Sequence, residues 1–394
     1  MEVTAHLNQR PASKKNGRGA SIEYSQTNCE CKTIPINFSQ IQNSCRILSI
    51  EILPKFNSPP SIIFGYVKGT NSDDSSSFHL DRYQMSTIDQ GQKVISHPCV
   101  LQFPPKFMKT ITTKNLSTNE METILLIGGG ERLACFADRS ERLIDATKSI
   151  EIYLPELKNL AGNVSSMDIL LISDETQKMK QRLIICGHSN GFLNLTINDF
   201  QTGEIIHRSN EHDSFISSVR FFYHNYKPIE GEEPNLLVTS ALEQAVVYRD
   251  VLSTHFLDPV VLATTDTRDC VTSSCIVDID LDGKNEILLG TYGDTCFICR
   301  LPSVVEQQSP KGLSLISEES PLYRTLTLAA SAYSLVCVDF TNDGLDEIII
   351  ATTKGLHIHQ LGLDEVMYIL NNRMEIKKQL SLTKTNEKNL SLIS

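Results

Sequence analysis

The stretch Cys275–Arg300, CIVDIDLDGKNEILLGTYGDTCFICR, decides the fold. We predict that it forms a strand, an acidic turn, a buried strand, a short turn and a third strand. The consecutive apolar residues Ile287, Leu288 and Leu289 indicate that protein covers both faces of the middle strand. Gly283 can adopt the positive φ that a reversal of the chain needs. The stretch is therefore predicted to be three antiparallel strands joined by tight turns.

The turn before the buried strand is rich in carboxylates. Asp278, Asp280 and Asp282 occupy alternating positions, and Glu286 stands where the next strand begins. Oxygen ligands at this spacing around a glycine suit Ca²⁺, which accepts about six to eight oxygen ligands in a flexible geometry. The alternative is a tight hairpin in which the aspartates accept hydrogen bonds from nearby backbone N–H groups. Both interpretations stay open: a calcium site of low affinity, or a structural turn.

The same pattern returns once, at Val338–His359. With a constant offset of 61 residues, Asp278, Asp280, Asp282, Gly283 and Glu286 correspond to Asp339, Thr341, Asp343, Gly344 and Glu347. A shared spacing over five positions, followed by an apolar triplet, indicates an internal repeat. Thr341 removes one carboxylate, so we interpret the second copy as a structural turn of the repeat.

A unit made of an apolar strand, a short turn and an alternating strand recurs along the chain. It occurs at Ile124–Phe136, Leu183–Ile197, Leu236–Asp250, Ile287–Cys299 and Ile348–His359, and a further apolar strand is predicted at Ser61–Val67. Successive units lie 51 to 63 residues apart. Repeats of short strands at roughly 40–50 residues are typical of β-propellers, and longer loops account for the excess. We predict an all-β fold, a β-propeller of six to seven four-stranded blades.

Three regions are predicted. Residues 1–40 are rich in Ser, Asn, Lys and Gly, so we expect a poorly ordered N-terminal segment. Residues 41–362 form the β-propeller. Residues 363–394 form a short C-terminal helix and a mobile tail, because Val366, Leu370 and Met374 recur at four-residue spacing before a region rich in Lys and Asn.

Composition narrows the class of protein. The 394 residues carry a net charge of −11, which argues against nucleic acid or anionic lipid as a partner. No run approaches the roughly 18 apolar residues of a membrane span. The first twenty residues have no apolar core, and the eleven cysteines are odd in number, so we expect reduced thiols in a cytosolic protein without a secretory signal.

Two further pairs of residues are candidate metal or redox sites. Cys296 and Cys299 have the spacing of a zinc or redox pair, but residues three apart on a strand point to opposite faces, which favours two core thiols. His357 and His359 share a strand face that could suit a metal. We find no nucleophile elbow and no metalloprotease helix, so the chain is expected not to be an enzyme and to have no catalytic residues.

The acidic turn followed by an apolar triplet resembles the FG-GAP repeat, and most of the chain resembles the kaptin family. The segments that carry the resemblance are LPELKNLAGNVSSMDILLI (Leu154–Ile172), CGHSNGFLNL (Cys186–Leu195), ALEQAVVYRDVL (Ala241–Leu252) and VDIDLDGKNEILLGTYG (Val277–Gly293). The resemblance implies a subunit of KICSTOR, which holds the GATOR complex on lysosomes so that scarce nutrients restrain the TOR kinase complex. It also implies a second FG-GAP-type propeller protein as a partner, other KICSTOR subunits, and an association with actin filaments.

Three hypotheses follow. The first is a non-catalytic scaffold in the cytoplasm that is recruited to the lysosomal membrane through partners, without inserting into the membrane. The second is a cytoskeletal protein bound to actin filaments at actin-rich cell edges. The third is a calcium-dependent adhesion propeller outside the cell, against which the lack of a signal peptide and the odd number of cysteines count.

Overall fold

The structure of the chain is a computed structural model. It describes residues 45–53, 61–68, 77–84, 99–130, 132–139, 142–158, 163–173, 178–257, 259–262, 270–302, 305–309, 312–316, 321–339, 344–360, 362, 366–372 and 374. Contacts within the chain define two compact units. Among the described residues, the larger comprises those within 45–222 and 234–261, and the smaller comprises those within 223–233 and 262–374.

The larger unit contains four blades, each an antiparallel sheet of four strands in which consecutive strands pair. Blade one is β1 (Cys45–Leu53), β2 (Ser61–Lys68), β3 (Ser77–Gln84) and β4 (Cys99–Leu101). Blade two is β5 (Phe107–Lys114), β6 (Met121–Gly129), β7 (Arg132–Arg139) and β8 (Arg142–Asp145). Blade three is β9 (Val164–Ser173), β10 (Met179–His188), β11 (Phe192–Asp199) and β12 (Ile205–Glu211). Blade four is β13 (Ile216–Phe222), β14 (Asn235–Ser240), β15 (Val246–Tyr248) and β16 (Val260–Val261).

Short helices occupy some of the connections in this unit. Two 3₁₀ helices at Thr147–Ile152 and Pro155–Leu157 follow blade two, and the single-turn helix α1 (Val251–Thr254) follows β15. Leu154 and Leu157, which flank and end the second 3₁₀ helix, are buried in the core between blades two and three. The connection therefore fills space between the two sheets.

The second strand of each blade is the centre of the core. Ile124, Leu125, Leu126 and Ile127 of β6 are all fully buried, and they alternate between two clusters. Ile124 and Leu126 pack towards blade three, whereas Leu125 and Ile127 pack towards blade one. Consecutive apolar residues are therefore needed because a sheet covers each face of the blade.

Side chains of the first strands tie neighbouring blades together. Ser165 is the extra residue of a β-bulge in β9, and its hydroxyl lies 3.0 Å from the carbonyl oxygen of Gly187 and 2.7 Å from that of Ile216 in the next blade. Asp168 accepts a hydrogen bond of 2.8 Å from the N–H of Phe221 and pairs at 2.7 Å with Lys109. Asp168 therefore contacts the blade on each side of its own.

The smaller unit contains two blades. Blade five is β17 (Val271–Val277), β18 (Glu286–Thr291), β19 (Thr295–Cys299) and β22 (Leu322–Thr327), and between its third and fourth strands lies the hairpin β20 (Val305–Ser309) and β21 (Gly312–Ile316). Blade six is β23 (Ala332–Val338), β24 (Glu347–Thr352) and β25 (Gly355–His359). Leu288 of β18 and Ile350 of β24 are fully buried in one cluster between these blades. The hydroxyl of Thr272, again the extra residue of a bulge, lies 3.0 Å from the carbonyl oxygen of Gly290 and contacts that of Ala332 in blade six.

The predicted fold class is confirmed: the chain is an all-β β-propeller, with six blades among the residues that the structure describes, and residues 366–372 form a short C-terminal helix. Each of the five predicted strand–turn–strand units is the second and third strand of a blade, and Ser61–Val67 lies in β2. Five blades have four strands, and blade six has three among the described residues. The predicted character of residues 1–40 and of residues 375–394 concerns parts of the chain outside the described residues, so the three-region division stays a prediction.

Candidate functional site

The acidic turn between β17 and β18 brings three carboxylates together. Ligand oxygens of Asp278, Asp280 and Glu286 all lie within 4.8 Å of one another. Asp282 is not among these three; one of its oxygens accepts a hydrogen bond of 2.7 Å from the N–H of Lys284. Three of the four side chains that the sequence singled out therefore lie together. The chain bends after Asp278, so strict alternation along a strand does not continue through the turn.

The same side chains hold the backbone of the turn. An oxygen of Asp278 accepts a hydrogen bond of 2.9 Å from the N–H of Gly283, whose φ is +89°. An oxygen of Glu286 accepts a hydrogen bond of 3.0 Å from the N–H of Ile279. These bonds are those expected of a structural turn, in which carboxylates satisfy backbone donors that no strand partner reaches.

Arg300, the residue that follows β19, supplies positive charge to this turn. Its Nε lies 3.2 Å from an oxygen of Glu286, and its Nη2 forms an ion pair with Asp280. The guanidinium also lies over the ring of Tyr323, with 3.7 Å between Cζ and the ring centroid. Sequence reasoning missed Arg300, although three clustered carboxylates call for a basic partner. The position 61 residues later is Leu361, so the second copy has no equivalent guanidinium.

The carboxyl of Glu286 has a strongly shifted pKa. Its side chain is 1% exposed, and burial raises its pKa from 4.5 to about 7. The N–H of Ile279 opposes this rise, while the charges of Asp282 and Asp278 add to it. Arg300 favours the charged form, but the removal of the carboxyl from water is the dominant effect on its pKa.

We expect Glu286→Gln to flatten the pH dependence of stability. Because the folded-state pKa is raised, the contribution of Glu286 is fully present below its ordinary pKa of 4.5 and is lost as the pH rises through about 7. Between pH 5 and pH 8, the free energy of unfolding of the wild type should therefore fall by about 1–3 kcal/mol more than that of the variant. Urea unfolding of both proteins at several pH values measures this difference. A variant that loses more stability than wild type as the pH rises would show that the pair with Arg300 dominates instead.

The second copy of the turn has the same hydrogen bond between the N–H of its glycine and an aspartate. The N–H of Gly344, whose φ is +88°, donates a hydrogen bond of 2.8 Å to Asp339, as Gly283 does to Asp278. Glu347 is 1% exposed, as Glu286 is. Two more members of the predicted repeat, Thr341 and Asp343, lie outside the described residues. The shared bond and the shared burial give the internal repeat a structural basis.

The calcium hypothesis for Asp278, Asp280, Asp282 and Glu286 stays a prediction. Calcium would need carboxylate oxygens that Arg300 now contacts, so we expect the guanidinium to compete with the ion. Arg300→Gln should therefore bind Ca²⁺ at least about tenfold more tightly than wild type, because one opposing charge is removed from the site. Calorimetric titration of both proteins tests this. If neither protein gives heat or a change in melting temperature, the turn is structural.

The other candidate pairs lie in different surroundings. Cys296 and Cys299 are both buried in β19, and burial raises the pKa of each thiol to about 12. Cys296 belongs to the core cluster between blades five and six, in which Cys299 takes no part. His357 and His359 stack on β25 with 6.4 Å between ring centroids. Burial, followed by the neighbouring His357, lowers the pKa of His359, so this strand does not favour a cationic imidazole there.

The fold and its paired Asp–Gly turns define the chain as a β-propeller with an internal repeat. A family model described as KICSTOR complex protein kaptin matches residues 12–371. The chain belongs to this kaptin family. The KICSTOR complex protein kaptin of Mus musculus is 27% identical over 355 residues, which cover 86% of this chain and 78% of the mouse protein.

Solved structures of low sequence identity resemble the chain more loosely. One is a chain of the crystal structure of BBS1N in complex with ARL6DN, with 9% identity and a TM-score of 0.44, covering 80% of this chain and 92% of that one. Another is Sqt1 of Chaetomium thermophilum, with 13% identity and a TM-score of 0.43, covering 80% of this chain and 69% of that one. In the parts of the chain that the structure describes, no helix has both the length and the apolar composition needed to cross a bilayer.

Proposed function

We propose that the chain is a non-catalytic scaffold subunit of a KICSTOR-like complex. The observation that carries this proposal is the match of residues 12–371 to the family of KICSTOR complex protein kaptin. In the proposed role the complex recruits GATOR to lysosomes and so restrains TOR signalling when amino acids are scarce. The protein works in the cytoplasm and reaches the lysosomal membrane through its partners.

The construction of the blades supports a role in binding rather than in chemistry. Buried ion pairs such as Arg82 with Asp138 join third strands of neighbouring blades, and Asp168 joins three first strands. Such cross-links hold the exposed loops of the larger unit in fixed positions. A rigid body with many loops can contact several proteins, which suits a scaffold. The proposed partners are a second FG-GAP-type propeller protein, the other KICSTOR subunits and GATOR.

We expect the tagged full-length chain, purified from amino-acid-starved cells, to carry KICSTOR subunits and GATOR with it. Quantitative mass spectrometry of the purified material measures the enrichment over cells that express the tag alone. Because the association is a stable assembly of subunits, the enrichment should persist through a wash at physiological salt. Recovery of the chain without any KICSTOR subunit would contradict the proposed function.

Association with actin filaments is the alternative. Four lysines within residues 375–394 favour it, because actin filaments are acidic. Cosedimentation of the full chain with filaments separates the two functions, since a KICSTOR scaffold without actin affinity stays in the supernatant. Binding through the lysines should also weaken as the salt concentration rises.

A further inference from the structure

Three loops at one end of blades three and four are joined by hydrogen bonds. They are residues 189–191 between β10 and β11, residues 212–215 between β12 and β13, and residues 241–245 between β14 and β15. The N–H of His212 donates to the carbonyl oxygen of Gly191 at 3.0 Å. The N–H of Ala241 donates to the carbonyl oxygen of Phe215 at 2.9 Å. The three loops therefore form one continuous surface of the larger unit.

This surface exposes large apolar side chains. Leu242 is 87% exposed, Phe192 41% and Phe215 38%. Hydrogen bonds place the loops that carry these residues side by side: the N–H of Leu242 donates at 3.4 Å to Oγ of Ser214, which is next to Phe215 in sequence, and Phe192 follows Gly191 directly. Single exposed apolar residues are common on proteins, but a group of them on joined loops is typical of an interaction site.

Hydrogen bonds of Glu243 and His212 fix the loop that carries Leu242. Glu243 accepts a hydrogen bond of 3.0 Å from the N–H of Asp213, and its other oxygen lies 3.2 Å from Nδ1 of His212. The opposite ring nitrogen of His212 lies 3.1 Å from the hydroxyl of Tyr248, which is buried. A side chain presented on a loop fixed in this way loses little entropy on binding, so Leu242 is preorganised as an anchor.

All the full charges on these loops and on the strand residues directly beside them are negative. Within residues 189–192, 211–215 and 241–245 the charged side chains are Glu211, Asp213 and Glu243, and none is Lys or Arg. An acidic surface repels nucleic acid and anionic lipid, which makes a protein with basic residues the complementary partner. Interfaces combine a buried apolar centre with a charged rim, and this surface supplies both.

We propose that Phe192, Phe215 and Leu242 form a docking surface for a segment of another protein that carries an apolar anchor flanked by Lys or Arg. We call it the acidic–apolar surface. The apolar anchor contacts exposed apolar side chains of the joined loops, and the basic residues lie opposite Glu211 and Asp213. This inference goes beyond the proposed function, since it depends on the surface itself and not on which complex the chain joins.

The test uses the full chain in cells with Leu242 replaced by the photocrosslinking residue p-benzoylphenylalanine. Because Leu242 is largely exposed, the replacement should leave the fold intact, and a melting curve checks this. The control places the same residue at Leu116, which is 61% exposed in the turn between β5 and β6. Mass spectrometry then identifies the crosslinked segments. We expect position 242 to capture a segment with an apolar residue and at least two flanking basic residues, whereas position 116 does not.

A charge reversal tests whether the acidic residues attract the basic residues of the partner segment. Asp213→Lys, made in the chain that carries the crosslinker at position 242, should lower the yield of the captured segment about tenfold, because the rim then repels basic residues. The matched control is Glu204→Lys, an exposed charge at the opposite end of blade three. Capture of an acidic segment, of lipid, or of nothing above the Leu116 control overturns the proposal. An equal yield with Asp213→Lys overturns the charge complementarity.

Discussion

Replacement of Arg182 by methionine is expected to destabilise the protein by about 3–5 kcal/mol, because it leaves a buried carboxylate without its partner. Arg182 is 2% exposed and forms an ion pair with Glu156, which is 4% exposed. Its Nη2 lies 2.9 Å from the second carboxylate oxygen of Glu156. Unfolding in urea, followed by circular dichroism, measures the loss.

The network around this pair explains why the loss should be large. Nη1 of Arg182 donates a hydrogen bond of 2.6 Å to the hydroxyl of Thr113 in blade two, and Nη2 lies 3.3 Å from the carbonyl oxygen of Tyr153. Asn198 donates to Glu156 at 3.3 Å. Methionine has a similar volume but no donors, so the buried carboxylate and two backbone or hydroxyl oxygens lose partners.

A second variant separates charge from packing. Arg182→Met combined with Glu156→Leu removes both charges, and we expect it to recover most of the lost stability, since two apolar side chains need no partner in the core. If the double variant is less stable than Arg182→Met alone, the hydrogen bond from Asn198 to Glu156, which only the double variant loses, outweighs the unpaired charge. An exposed cation, Arg208, serves as the control, because its replacement by methionine should change stability by less than about 0.5 kcal/mol.

Replacement of Gly191 by alanine is expected to cost about 2–5 kcal/mol, because two separate penalties act at this position. Its φ of +91° is a backbone conformation that side chains disfavour. A Cβ at this position would also lie 2.1 Å from the carbonyl oxygen of His212, and a backbone atom cannot rotate away. The loops that carry Phe192 and Phe215 must then move apart.

Gly203 offers a matched control for this substitution. It lies in the turn between β11 and β12 with a φ of +75°, and a Cβ there meets nothing within 4 Å. Gly203→Ala therefore measures the conformational penalty alone, about 1 kcal/mol. The difference in melting temperature between the two variants measures the effect of the steric clash between the added Cβ and the carbonyl oxygen of His212. Equal losses would show that the loop at Gly191 can relax without disturbing its neighbour.

Much of the fold could be predicted because the blades repeat one pattern. Runs such as Leu125–Ile127 have apolar residues at every position, and only a sheet covered on both faces requires this. The Asp278 and Asp339 turns were predicted for the same reason, since their spacing and their glycines coincide. Blade number was open between six and seven, because weak strands such as β4 and β16 span only two or three residues and leave little pattern.

The candidate site was harder to predict from sequence. Arg300 is 14 residues from Glu286 along the chain, and its contact depends on the pairing of β18 with β19. The acidic–apolar surface combines residues from three loops that are separate in sequence, so no local window contains it. Leu242 has the polar residues Ser240 and Gln244 two positions away on either side, so it belongs to no alternating apolar pattern, and its exposure follows only from the packing of blades three and four.

The hydroxyls of Ser165 and Thr272, the extra residues of two β-bulges, affect how far the sequences of the blades can diverge. Each hydroxyl reaches main-chain carbonyl oxygens, one in its own blade and one in the next. Every amino acid supplies such an oxygen, so mutations in the receiving blade leave the junction intact. For this hydrogen bond, selection then acts on the hydroxyl residue and not on its acceptors, so the blades that receive it can diverge in sequence without losing it.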